Sequence, residues 1–235
     1  MTEPALSLHF FDPEHGIHGS ARAGATLLFE GTGSTVLPQG PRVERRGSGW
    51  RAELEGAFEL ELEPLAAAAE LDGVTAHVCA VEGEVEGGRR VRCLGTVAQT
   101  HSPPAWEELD ALRSISALFD REHAFLAVAQ RPRSALGHGD ERTVAWLLSD
   151  GEPVAIEEAR ISTVYDGEGR QRSAGLELWV PGEDFPLRGS GTVVAGSSLA
   201  LEAVDVHVAV FRWRMADREG AGSYELMTRS ERHAA

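Results

Sequence analysis

The residues best suited to chemistry gather in Gly137-His138-Gly139-Asp140-Glu141-Arg142, where an imidazole, two carboxylates and a guanidinium follow one another closely. A histidine near an aspartate can exchange protons around neutral pH, and loops at the mouth of a barrel commonly carry functional groups. Asp140 and Glu141 are therefore the candidate general acids, because an apolar pocket raises a carboxyl pKa and keeps the group protonated. His138 and Arg142 would contact a ligand beside them. The competing reading is a charged, glycine-rich hairpin turn, since turns favour these same residue types. Trp146, Trp179, Trp213 and Tyr224 are the candidate aromatic walls of a ligand cavity, and packing in a core is the alternative for each.

His15 and His18 form an H-x-x-H spacing, but Pro13 and Gly16 make that segment a turn and no cysteine or third histidine stands at motif spacing. Solvated turn histidines are expected there and no metal site. The chain has no G-x-S-x-G elbow, phosphate loop or dinucleotide fingerprint, and Gly189-Ser190-Gly191 lacks a helix to follow it. No lysine occurs anywhere, which excludes Schiff-base chemistry and a phosphate-loop lysine. No cofactor is expected.

The 37 acidic against 22 basic residues give a formal charge of -15, which repels nucleic-acid phosphates and anionic membranes. An apolar share of 42% suffices for a buried core. No run approaches the roughly 18 apolar residues of a membrane span, and the first residues carry no signal-peptide pattern, so a cytoplasmic location is expected. Cys79 and Cys93 lack zinc or redox spacing and read as free thiols. Oligomeric state is left open.

The elements that must position these groups are strands. From Trp50 to Leu62 the residues Trp50, Ala52, Leu54, Gly56, Phe58, Leu60 and Leu62 alternate with Arg51, Glu53, Glu55, Ala57, Glu59 and Glu61, and Trp50, Leu54, Phe58 and Leu60 should share one buried face. Similar alternation runs through Leu199 to Trp213 and Gly222 to Thr228, with turn residues at Glu86-Gly87-Gly88, Asp150-Gly151, Asp166-Gly167 and Pro181-Gly182. An antiparallel all-β fold follows. A hairpin about Glu86-Gly87-Gly88 pairs Val85 with Arg89, which sets Cys93 opposite Val81 and Cys79 opposite Gly95, so no disulfide is expected. Trp106, Leu109 and Leu112 stand at helical spacing after Ser102, Pro103 and Pro104, which predicts a short helix from Pro104 to about Leu112.

A weak repeat supports a division of the chain. Phe11-Asp12-Pro13-Glu14-His15 matches Phe119-Asp120-Arg121-Glu122-His123, Leu27 to Gly31 faces Leu147 to Gly151, and Phe58 to Glu61 faces Leu176 to Trp179. The resulting organisation is an N-terminal β unit over 1–100, a connector with the short helix over 101–113, and a C-terminal β unit over 114–235, as a barrel pair or a sandwich.

The opening Leu8-His9-Phe10-Phe11-Asp12-Pro13-Glu14-His15-Gly16, followed by Ala25 to Gly31, resembles the hydroxyneurosporene synthase (carotenoid 1,2-hydratase) and AttH group of lipocalin-like proteins. Phe211 to Arg214 and Gly220 to Glu225 are similar to the closing strand pair of related proteins. The resemblance implies two consecutive lipocalin-like, or calycin, β units and chemistry on apolar polyenes or terpenoids, in which an acidic side chain protonates an alkene. The family's Arg-Asp-x-Ser-Trp-Gly motif has its counterpart here in Asp140 to Trp146, with a different order and spacing. The expected function is binding of a small hydrophobic molecule in a β-barrel cavity, with acid-catalysed hydratase, cyclase or isomerase activity centred on Asp140 or Glu141. The alternative is a non-catalytic binding or interaction module.

Overall fold

A computed structural model describes residues 5–102, 104–136, 140–201 and 204–230. It is built from antiparallel strands in two curled sheets, as the alternating patterns require. The first sheet contains β1 (Ala5–Asp12), β2 (Ile17–Arg22), β3 (Ala25–Glu30), β4 (Gly33–Leu37), β5 (Arg42–Arg46), β6 (Gly49–Leu54), β7 (Phe58–Pro64), β8 (Ala69–Glu70), β9 (Val74–Val85) and β10 (Arg89–Thr100). The second contains β11 (Leu109–Leu118), β12 (Ala124–Pro132), β13 (Arg142–Ser149), β14 (Glu152–Val154), β15 (Glu158–Tyr165), β16 (Gln171–Trp179), β17 (Leu187–Leu201), β18 (Val204–Met215) and β19 (Arg218–Arg229).

The strand orders are β4-β3-β2-β1-β10-β9-β7-β6-β5 and β14-β13-β12-β11-β19-β18-β17-β16-β15. With the short β8 set aside, they are the same order. The first two sequence matches fall on equivalent places: the Phe-Asp-x-Glu-His segments lie at the end of the first strand of each sheet, Phe11 and Asp12 closing β1 and Phe119 directly following β11, and Leu27 and Leu147 lie on equivalent strands. The third does not. Phe58 to Glu61 belongs to β7, whereas Leu176 to Trp179 belongs to β16, the counterpart of β6.

Alternation explains the packing. One face of the first sheet closes on itself around Leu8, Phe10, Trp50, Leu54, Phe58 and Leu60, and the second does so around Ile115, Phe125, Leu176, Phe211, Trp213 and Tyr224. Burying side chains of this size contributes about 1.5–3 kcal/mol each before conformational entropy is set against it. A third cluster, including Phe11, Leu27, Phe29, Leu126, Val206 and Val208, lies between the sheets. The outer face of β1 is thus buried too.

The Val85 to Arg89 hairpin has the expected register, with Cys93 opposite Val81 and Cys79 opposite Gly95. Both thiols are free, and burial pushes each up to about 12, so neither has thiolate character at neutral pH.

The expected helix is absent. Ala105 to Glu108 form a turn closed by the Glu108 N–H donating to the Ala105 carbonyl at 2.8 Å, and β11 begins at Leu109. Asp110 is an extra residue in the pairing with β12, because Leu109 opposes Pro132 and Ala111 opposes Arg131. That bulge returns Leu112 to the face of Leu109, so two leucines three apart share one side of a strand and imitate a helical spacing.

Candidate functional site

Alternation in β1 turns Leu8 and Phe10 into the first sheet's own core and leaves His9 and Phe11 facing the second sheet. Register brings Ser20 of β2 and Thr96 of β10 beside His9, and Arg22 follows Ser20 on the same face. From the other side β19 presents Glu225, flanked on its face by Ser223 and Met227.

These groups meet. Glu225 is only 4% exposed, and its Oε1 accepts from His9 Nε2 at 3.0 Å, from the Ser20 hydroxyl at 3.3 Å and from Arg22 Nη2. Burial pushes the Glu225 carboxyl up, but the Arg22 guanidinium and the His9 and Ser20 hydrogen bonds outweigh it and hold the group at about 2. Glu225 is ionised at neutral pH. The other ring nitrogen, His9 Nδ1, lies 3.2 Å from the Thr96 hydroxyl.

This cluster forms one wall of a cavity of about 620 Å³ between the sheets, a size suited to a small organic molecule. Leu71, Ala98, Trp106, Leu112, Leu126 and Met227 supply apolar lining, and Ser116 adds a hydroxyl near Ser223. At the rim Arg142 Nη2 donates to Asp72 Oδ1 at 3.1 Å. Asp72 has a φ of 49° and Gly73 a φ of 85°, a left-handed pair that turns the chain between β8 and β9 across the opening.

Of the candidate site residues that are described, Arg142 lines this cavity and the others are placed elsewhere. Asp140 is exposed, its Oδ2 accepting from the Leu136 N–H at 2.9 Å. The Glu141 side chain is buried in an ion pair with Arg113, which also donates to the Tyr224 hydroxyl at 3.1 Å and to Thr163 at 3.3 Å. Tyr224 and Trp213 are fully buried in the second sheet's own core. Trp146 is half-buried against the cluster between the sheets, and Trp179 stacks under Arg160 with the guanidinium 4.6 Å from its ring. His138 lies outside the described residues.

The two turn histidines part company. His15 is exposed and its Nδ1 pairs with Asp12 at 2.8 Å, whereas His18 is 3% exposed, against the expectation that both are solvated. The turn ends at Gly16 and β2 begins at Ile17, so His18 takes a strand position whose side chain faces the second sheet beside Phe11. Among the described residues no group of three or more His, Cys, Asp or Glu is placed to hold a metal ion, and no helix is long and apolar enough to cross a membrane.

Sequence reasoning passed over His9, Arg22, Thr96 and Glu225. A signal was present in Ser223-Tyr224-Glu225-Leu226-Met227, where an acidic residue shares a strand face with methionine instead of with other charges.

No family model matches the chain, and no curated protein sequence matches it. Solved structures do. CghA with Sch210972 aligns over 96% of this chain and 88% of its own, at 12% identity and a TM-score of 0.62. The AttH-like protein NE1406 from Nitrosomonas europaea aligns over 94% and 90%, at 13% identity and 0.60, and kievitone hydratase from Nectria haematococca over 96% and 89%, at 10% identity and 0.61. The chain shares their fold. The resemblance noted in the sequence to the AttH group therefore extends to nearly the whole chain at the level of architecture.

Proposed function

We propose that this protein binds a small, mostly apolar molecule in the cavity between its two sheets, with the Arg22–Glu225–His9–Thr96 cluster as the polar end of the site. The observation that carries this reading is the cavity itself. It is some 620 Å³ of largely apolar space with a buried, hydrogen-bonded carboxylate on its wall. Ions are rarely placed beside such space for stability alone, because desolvating them costs several kcal/mol apiece. The interiors of the two sheets are packed with side chains, and the cavity lies between them.

A catalytic extension is favoured by the Thr96–His9–Glu225 chain, in which a hydroxyl at the cavity wall is linked through an imidazole to a carboxylate. One of the similar structures is named a hydratase, which accords with proton-transfer chemistry in this fold. Glu225 serves here as an ionised acceptor that orients His9, not as the carboxylic acid that protonates an alkene. Asp140 and Glu141, the acids suggested by the sequence, are not among the residues lining the cavity, so the chemistry is assigned to His9 and Thr96.

Fluorescence titration with N-phenylnaphthylamine tests the binding reading. The wild-type protein should give saturable, blue-shifted emission, and Ala98→Trp, which fills the cavity, should abolish it while circular dichroism stays that of a β protein. Undiminished binding by folded Ala98→Trp would contradict the reading.

A further inference from the structure

Among the described residues, the carboxylates and guanidiniums lining the cavity are Arg22, Asp72, Arg142 and Glu225, two of each sign, beside the His9 imidazole, in a protein whose net charge is -15. They are paired with each other, Arg22 with Glu225 at the inner end and Arg142 with Asp72 at the rim. The carboxylates and guanidiniums of the lining therefore balance one another. A ligand with a full charge would bring it uncompensated into a space of low polarity, at a cost of several kcal/mol.

The inner pair is asymmetric in its hydrogen bonds. Among the described residues, His9, Ser20 and Arg22 all donate to Oε1 of Glu225. An ionised carboxylate has about four acceptor sites over its two oxygens, so a set of donors confined to one oxygen leaves the other able to accept. Glu225 is almost wholly buried, and the cavity is the space it lines. A hydrogen bond donated by a ligand to an ionised carboxylate at the wall of an apolar cavity is of the stronger, charge-assisted kind.

Resting on the cavity reading above, we infer that the bound molecule is neutral and presents a hydroxyl or N–H group that donates to Oε2 of Glu225, with its apolar body along Leu112, Leu126 and Met227. This specifies the ligand class by chemistry: an apolar alcohol, phenol, enol or amide, in preference to a fatty acid, an alkylammonium or a pure hydrocarbon.

The test is displacement of N-phenylnaphthylamine from the wild-type protein by decanol, decyl methyl ether, decanoate and decylammonium, which share a chain and differ in the head group. Decanol should displace the reporter at a concentration at least about tenfold lower than the ether, as a hydrogen bond to a charged acceptor requires, and also lower than either ion. In Glu225→Gln the preference of decanol over the ether should disappear. Equal potency of alcohol and ether overturns the inference and leaves the cavity reading intact. So does tighter binding of decanoate or decylammonium, or a preference that survives in folded Glu225→Gln. Should Glu225→Gln not fold, the wild-type series still decides, because only decanol among the alcohol and the ether can donate. If the reporter does not bind the wild-type protein at all, the cavity reading falls and the inference with it.

Discussion

Two arginine–glutamate pairs are buried in the molecule and have different surroundings. Arg113 and Glu141 lie within the second sheet, and Arg113 is tied also to Tyr224 and Thr163, whose hydroxyls are 2.6 Å apart. Burial, outweighing the nearby Arg113, pushes the Tyr224 phenol up to about 12, so it remains a neutral partner. Arg22 and Glu225 instead join one sheet to the other and line a cavity. Side-chain exposure is 4% and 5% in the first pair and 15% and 5% in the second, so burial does not separate them. What separates them is the space alongside. A buried ion pair is evidence of a site only where room for a ligand adjoins it.

The largest expected effect tests what the two pairs have in common. Glu225→Leu and Glu141→Leu should each lower the unfolding free energy by about 3–5 kcal/mol, because each leaves a buried guanidinium without its counterion. Urea denaturation would measure this. Adding Arg22→Met to Glu225→Leu should recover most of the loss. A loss below about 1 kcal/mol at Glu225 would mean that the cross-sheet pair is solvated and the comparison fails.

A somewhat smaller effect distinguishes the region between the sheets by its response to acid. Burial lowers the His18 pKa to about 4, outweighing the attraction of Asp12. The unfolded chain, with an ordinary histidine pKa of 6.5, binds more protons than the native state as pH falls from 6.5 to 4. Stability is therefore fully present above pH 6.5 and declines through that window, by on the order of 3 kcal/mol. Glu225 has the same sign at lower pH. Its native value of about 2 lies under the ordinary 4.5, so its contribution is present above 4.5 and lost toward 2. Denaturation at pH 7 and pH 4 should show a smaller drop for His18→Leu than for wild type, and identical drops would assign the acid sensitivity elsewhere.

The smallest effect concerns the rim. Arg142 is 68% exposed, so its pair with Asp72 contributes no more than about 1 kcal/mol and is screened by salt. Arg142→Ala should leave thermal stability nearly unchanged and speed release of N-phenylnaphthylamine in stopped-flow measurements. A large loss of stability would make this pair structural, like the buried two.

The contrast also marks how far the sequence could be read. Alternation from Trp50 to Leu62 fixed strand type and inward face, and the turn at Glu86 to Gly88 fixed a register that the structure reproduces. Alternation reports which residues face a sheet's own core, and it says nothing about what covers the other face. His9 and Glu225 are 216 residues apart, both on outer faces that look solvent-bound until the sheets are put together. The cluster at Gly137 to Arg142 stands out because charge and glycine concentrate in turns, and among its described residues only Arg142 lines the cavity. The bulge at Asp110 misled in a different way, by giving a strand the apolar spacing of a helix.

A crystal structure with N-phenylnaphthylamine bound tests the central claim most directly. Ligand density is expected between the sheets, its rings against Leu112, Leu126 and Met227 and its N–H directed at Oε2 of Glu225. Density inside the second sheet beside Glu141, or stacked on Trp179, with the space between the sheets unchanged, would contradict it.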